Sequence, residues 1–157
     1  MAPSLGLCYD ISRDDEMSEP LPAAVEIFKS LGHPTRLRCL LMLAEGELCV
    51  CQLVAVLGQA PSTVSAHLHA LRRAGLLEER KKGRWVLYRL ATGETVRAVL
   101  RCVRPLVAGD PQLERDADLC RRLRAIGPEE LCRVGLDLAR LTPSDTAPGP
   151  AGPRHEV

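Results

Sequence analysis

Two cysteines separated by a single residue, Cys49 and Cys51, are the groups in this chain best suited to chemistry. A thiolate is a soft donor, so a pair of them favours thiophilic ions over magnesium, calcium or manganese. They fall at the start of an expected short helix, in Glu47-Leu48-Cys49-Val50-Cys51-Gln52-Leu53. In a regular helix, positions i and i+2 lie about 200° apart around the axis. Both sulfurs can then meet one small ion only if that first turn is frayed or is made to unwind. The plain alternative is two small buried side chains.

A second set of candidates follows closely. Pro61-Ser62-Thr63-Val64-Ser65-Ala66-His67-Leu68-His69 opens an expected helix whose first turns carry small hydroxyl donors. Ser62, Thr63 and Ser65 suit close approach to base edges or phosphates, and His67 and His69 follow on the same helix. Ser62 reads equally as a helix cap, and His67 as a hydrogen-bonded ring between helices. Downstream, Arg80, Lys81, Lys82 and Arg84 crowd a turn, and between Arg72 and Arg89 there are seven Lys or Arg against two Glu. Charge this local suits the phosphates of DNA, the alternative being a solvated turn. An ion that unwinds the thiol-bearing helix would disturb the helix it supports, and a coupling on the order of 1–3 kcal/mol suffices for release from DNA.

The elements that must position these groups are legible in outline. The chain has 157 residues, 46% hydrophobic and only 3% aromatic, so Leu, Val and Ala must build a mostly helical core. Residues 1–20 read as a mobile arm holding Cys8. The main domain, 21–108, opens with helices over Ala23 to Leu31 and Thr35 to Ala44, the second placing Cys39 among leucines as a small hydrophobe. A third helix closes at Gly58, and a fourth runs from Ser62 to Ala74 with Val64, Leu68 and Leu71 as its buried stripe. Leu76 to Arg80 and Arg84 to Leu90 then alternate around Lys82-Gly83, the signature of a β-hairpin. The fold class is therefore mainly α with a small β-hairpin wing: a winged helix-turn-helix. A fifth helix, Thr95 to Val107, carries an apolar stripe that a small domain cannot cover, which predicts a homodimer interface shared with the first helix. Pro105 should strain its last turn. Two extra amphipathic helices, Leu113 to Ile126 and Glu129 to Leu141, fill a C-terminal extension over 109–141, broken at Gly127-Pro128. Residues 142–157 hold four prolines without periodicity and read as a disordered tail.

Composition excludes several classes. No apolar run is long enough to span a bilayer and no signal-peptide pattern opens the chain, so no membrane partner is expected and the location expected is cytoplasmic. Seven cysteines in such a compartment point to metal binding or redox sensing rather than staples. With no Cys-x-x-Cys pair and no phosphate-cradling glycine loop, neither a thiol enzyme nor an organic cofactor is expected. A symmetric dimer would set two reading helices about one DNA turn apart, on double-stranded operator DNA with an inverted repeat.

The runs Glu47 to Leu53, Ser62 to Leu77 and Gly83 to Leu90 together resemble the ArsR/SmtB family of dimeric winged-helix metalloregulatory repressors. Leu31-Gly32-His33-Pro34-Thr35-Arg36-Leu37-Arg38 is similar to the start of their second helix, and the resemblance covers about Ala23 to Val107. It implies a repressor that leaves its operator when a toxic ion binds. Within the family, Glu-Leu-Cys-Val-Cys marks arsenite and antimonite sensors, and also cadmium/lead sensors that add N-terminal cysteines. The arsenic pattern often has a third Cys three residues on, where this chain has Val54, and the family's zinc site needs a His that Glu94 to Val107 lacks. Cys8-Tyr9-Asp10 is similar to the arm motif of the cadmium/lead sensors, which makes Cys8 the first choice of third thiolate and Cys102 the second. Cys120 and Cys132 read as core packing. Three sulfurs suit As(III) or Sb(III); Cd(II) or Pb(II) is the alternative inducer, and a repressor that forms a disulfide instead of binding an ion is the redox rival.

Overall fold

A computed structural model of the chain describes residues 20–126 and 128–133. The arm with Cys8, the tail over 142–157 and the second half of the helix expected over Glu129 to Leu141 lie outside the described residues. In chain order the elements are α1 (Pro20–Leu31), α2 (Pro34–Ala44), β1 (Leu48–Cys49), α3 (Val50–Leu57) and α4 (Pro61–Arg73). They continue with β2 (Leu77–Lys82), β3 (Trp85–Leu90), α5 (Glu94–Leu106), α6 (Pro111–Ile126) and α7 (Pro128–Arg133). Mainly helical, with α3 and α4 followed by a hairpin, this is a winged helix-turn-helix.

The departure that matters most is β1. Leu48 and Cys49, expected inside the third helix, form a strand paired antiparallel with β3, Leu48 opposite Tyr88 and Cys49 opposite Leu87. Gly46, at φ 138°, swings the chain out of α2 into that extended path. The sheet order is β1-β3-β2. Lys82 pairs with Trp85, so the wing turns on Gly83-Arg84, one residue later than the alternation suggests. Gly83, at φ 59°, supplies the left-handed conformation that a two-residue hairpin turn requires.

Leu40, Leu48, Leu53, Leu68, Leu71 and Leu76 are fully buried and form the centre of the core. The extension belongs to the same core. Leu123 of α6 and Leu131 of α7 are buried with them, as are Cys39 and Cys120. Burial pushes the Cys39 thiol up to about 12 and the Cys120 thiol up to about 11, so both stay protonated and pack as small hydrophobes. An ion pair docks α6 on α2: Arg38 donates to both oxygens of Asp116, at 2.6 and 2.8 Å. In α5 only Val96 is buried, and Leu106 is 78% exposed, as is Phe28 of α1 at 74%. Pro105 lies inside the last turn of α5, which stops at Leu106 rather than Val107. Among the described residues, no helix is long and apolar enough to cross a membrane.

Candidate metal centre and nucleic-acid interface

Cys49 ends β1 and caps α3 from an extended backbone, φ −82° and ψ 162°. Its sulfur accepts the Gln52 N–H at 3.4 Å, and its own N–H donates to Gln52 Oε1 at 2.9 Å, a capping box with cysteine in the position usually held by Ser or Thr. Cys51 sits in the first turn of the helix. The two residues are joined as a disulfide, with Cα atoms 5.4 Å apart. The expectation that both sulfurs converge only with the first turn frayed or unwound took Cys49 to be helical, and that placement fails. Cys49 is not helical, and its extended backbone turns the sulfur toward Cys51 while α3 keeps its first turn. Cys49 is buried and Cys51 half-buried.

This position ties the thiols to the wing as well as to α4. Cys49 pairs with Leu87 of β3. Two residues upstream, Glu47 receives both Arg80 donors, Nε at 2.8 Å and Nη2 at 2.5 Å. The Arg80 guanidinium holds the Glu47 carboxyl below the usual carboxylate range. Reduced to thiolates, two soft sulfurs this close would suit a thiophilic ion, whereas the disulfide-linked pair offers it no thiolate. Among the described residues no group of three His, Cys, Asp or Glu gathers to hold a metal. Cys102 is exposed on α5, and Cys8 and the side chain of Cys132 lie outside the described residues.

On α4, Pro61 takes the first helical position and Ala60 is the N-cap, without a side-chain bond. Ser62 is therefore not the cap. Ser62, Thr63, Ser65 and His69 are exposed, opposite the buried Val64, Leu68 and Leu71. His67 differs from them. It is half-buried, with its ring 4.5 Å from that of His33, whose Nδ1 accepts the Thr35 N–H at the head of α2. On the wing, Lys81, Lys82 and Arg84 are exposed, and Arg84 lies 4.7 Å over the Trp85 ring. Arg80, grouped with them by sequence, is held by Glu47 instead.

Burial, then the nearby His33 and Arg36, pushes the His67 ring below its ordinary pKa of 6.5. The unfolded chain binds that proton more readily than the folded one. Stability from neutral His67 is thus fully present above about pH 6.5 and is lost as pH falls through the depressed folded value. Urea midpoints measured between pH 8 and pH 5 should fall on acidification, and His67→Gln should flatten that part of the profile. An unchanged slope would remove His67 from the account.

Sequence reading missed Gln52, Glu47 and His33. Only Gln52 had a local signal, a Gln three residues after the cap.

A family profile described as bacterial regulatory protein, arsR family, matches residues 33–79. An uncharacterised helix-turn-helix transcriptional regulator of Methanocaldococcus jannaschii is 40% identical over 86 residues, 54% of this chain and 96% of that protein. The chain belongs to the ArsR family. It is therefore a member of a family of transcriptional regulators, not of enzymes. This ArsR-family chain is also 50% identical to the arsenical resistance operon repressor of Escherichia coli, over 48% of its own length and 63% of that protein's. In three dimensions it is similar to the homodimeric winged helix-turn-helix DNA-binding domain of a Mycobacterium bovis protein, at TM-score 0.52 and 32% identity, covering 62% of this chain and 89% of that one.

Proposed function

We propose that this chain is a homodimeric repressor that binds double-stranded operator DNA and leaves it when arsenite or antimonite is held by Cys49, Cys51 and a third thiolate, Cys8 of the arm. The observation that carries this reading is the meeting of the Cys49 and Cys51 sulfurs where β1, paired with the wing, passes into α3, the helix that packs on the reading helix. The name of the Escherichia coli relative supports arsenic as the inducer. Cys8 is taken as the third thiolate because Cys8-Tyr9-Asp10 is similar to the arm motif of the cadmium/lead sensors, with Cys102 of α5 the second choice. Cadmium would call for a fourth ligand, and the arm lacks the second Cys that would supply one. Ser62, Thr63, Ser65 and His69 would face the bases, and Lys81, Lys82 and Arg84 the phosphates, while His67 and Arg80 hold these elements in place.

Fluorescence anisotropy of labelled operator DNA with reduced protein, titrated with arsenite and separately with cadmium, tests the reading. Release by arsenite supports it; release by cadmium alone moves the site to four ligands; release by neither ion sinks it. A redox repressor is the second reading, favoured by the disulfide between Cys49 and Cys51. Peroxide without metal should then release the DNA and dithiothreitol restore binding.

The dimer is assigned to the exposed apolar faces of α1 and α5, which carry Leu21, Val25, Phe28 and Leu106. Placing a charge there, as in Leu106→Glu, should yield a folded monomer by light scattering. Its operator affinity should drop roughly a hundredfold, because two linked reading helices bind with avidity that one lacks. A Leu106→Glu dimer of unchanged affinity would move the interface elsewhere.

A further inference from the structure

Two consecutive residues of α6 hold the two ends of the segment that carries both thiols. Upstream, Nη2 of Arg124 donates to the carbonyls of Met42 at 2.9 Å and Gly46 at 3.3 Å. The fit is close: a Cβ at Gly46 would come within 3.3 Å of Arg124 Nε. Downstream, the Leu123 carbonyl accepts a hydrogen bond from Nε2 of Gln52 at 2.9 Å. Gln52 is buried, and the other end of its amide, Oε1, accepts the Cys49 N–H. One planar amide thus joins the backbone of a thiol residue to the backbone of the C-terminal extension.

A helix cap needs only half of this arrangement. Gln or Glu closes a capping box through Oε1, and the bond from Nε2 to Leu123 adds nothing to the start of α3. Donor and acceptor share one rigid plane, so Gln52 cannot follow a displaced Cys49 without turning away from Leu123. Resting on the function proposed above, we infer that Gln52 is a positioning residue that transmits the state of Cys49 to α6, so that ion capture loosens the extension. The extension also reaches the wing: Ile126, Pro128 and Glu129 line one cleft with Lys82, Arg84 and Trp85. The thiol pair thereby acts on the hairpin along two routes, through β1 and through α6–α7.

Amide hydrogen exchange of the full chain, read by mass spectrometry, tests this. The reduced protein is compared alone, with arsenite and with cadmium, and sulfur-to-metal absorption reports loading. Loading should speed exchange across α6 and α7 by about fivefold or more. Gln52→Glu keeps the capping acceptor and removes the donor to Leu123. In that variant the absorption should still appear and β1–α3 still respond, while α6–α7 exchanges fast from the outset and rises no further. Gln52→Met removes both bonds and should speed exchange in both segments, which separates loss of the cap from loss of the link. A loaded site with unchanged α6–α7 exchange would overturn the inference, as would a Gln52→Glu variant that responds like the unaltered chain. If neither ion gives the absorption, the ion reading fails by itself. The link is then decided between the reduced and the disulfide-linked protein: equal α6–α7 exchange overturns it, and a difference abolished by Gln52→Glu supports it.

Discussion

Cys49→Ser and Cys51→Ser proteins should stay on operator DNA at arsenite concentrations that release the unaltered protein. In the unaltered chain arsenite should weaken DNA binding about 5- to 150-fold, the range of ordinary coupling between sites. In either serine variant the change should shrink to about twofold or less, because a hydroxyl is a poor ligand for a soft ion. Cys49 is the cleaner test. It already serves as an N-cap with Gln52 at the third helical position, so serine creates the usual Ser-x-x-Gln box and preserves the start of α3. Loss of response therefore cannot be blamed on a lost cap. Cys8→Ser should weaken the response and Cys102→Ser leave it intact, anisotropy being the readout for all four. Release of both serine variants at the unaltered concentration would place the inducer elsewhere in the molecule.

What could be read in the sequence divides along the range of the interactions concerned. Val64, Leu68 and Leu71 recur with the helical period, and the same three residues form the buried side of α4. Cys39, set among leucines, is buried as its neighbours imply. Local pattern sufficed in both cases. β1 could not be found that way, since two residues have no period and Leu48-Cys49 continues a helical stripe as well as it makes a strand. Only pairing with Tyr88 and Leu87, far along the chain, fixes it as extended. That one misplacement produced the expectation that the first turn of the helix must be frayed or unwind to bring the sulfurs together. Arg80 shows the same limit. By composition it is one cation among several near the wing tip, and only the fold sets it against Glu47. Ser62 failed as a cap because Pro61 starts the helix one residue earlier, making Ala60 the cap.

The extension's hold on the domain predicts the largest loss of stability. Asp116 is 2% exposed at its side chain, against 21% for its partner Arg38, and it also accepts from Gln112 Nε2 at 2.8 Å. Removing the cation strands the better-buried charge. Arg38→Met should therefore lose about 3–5 kcal/mol in urea unfolding, the usual result of leaving one ion of a buried pair unmatched. In thermal terms that is roughly 10–20 °C for a domain of this size. Asp116→Leu should lose less, since the Arg38 guanidinium lies nearer the surface and its stem can carry it into water. The double variant, Arg38→Met with Asp116→Leu, should recover most of the loss, because a buried pair and a well-packed apolar pair of similar volume are often close in stability. The order expected is thus Arg38→Met worst, Asp116→Leu intermediate and the double variant nearest the unaltered protein. Additive losses would mean that the two side chains stabilise the fold independently and that α6 is held on α2 by its apolar contacts, Cys120 and Leu123 foremost.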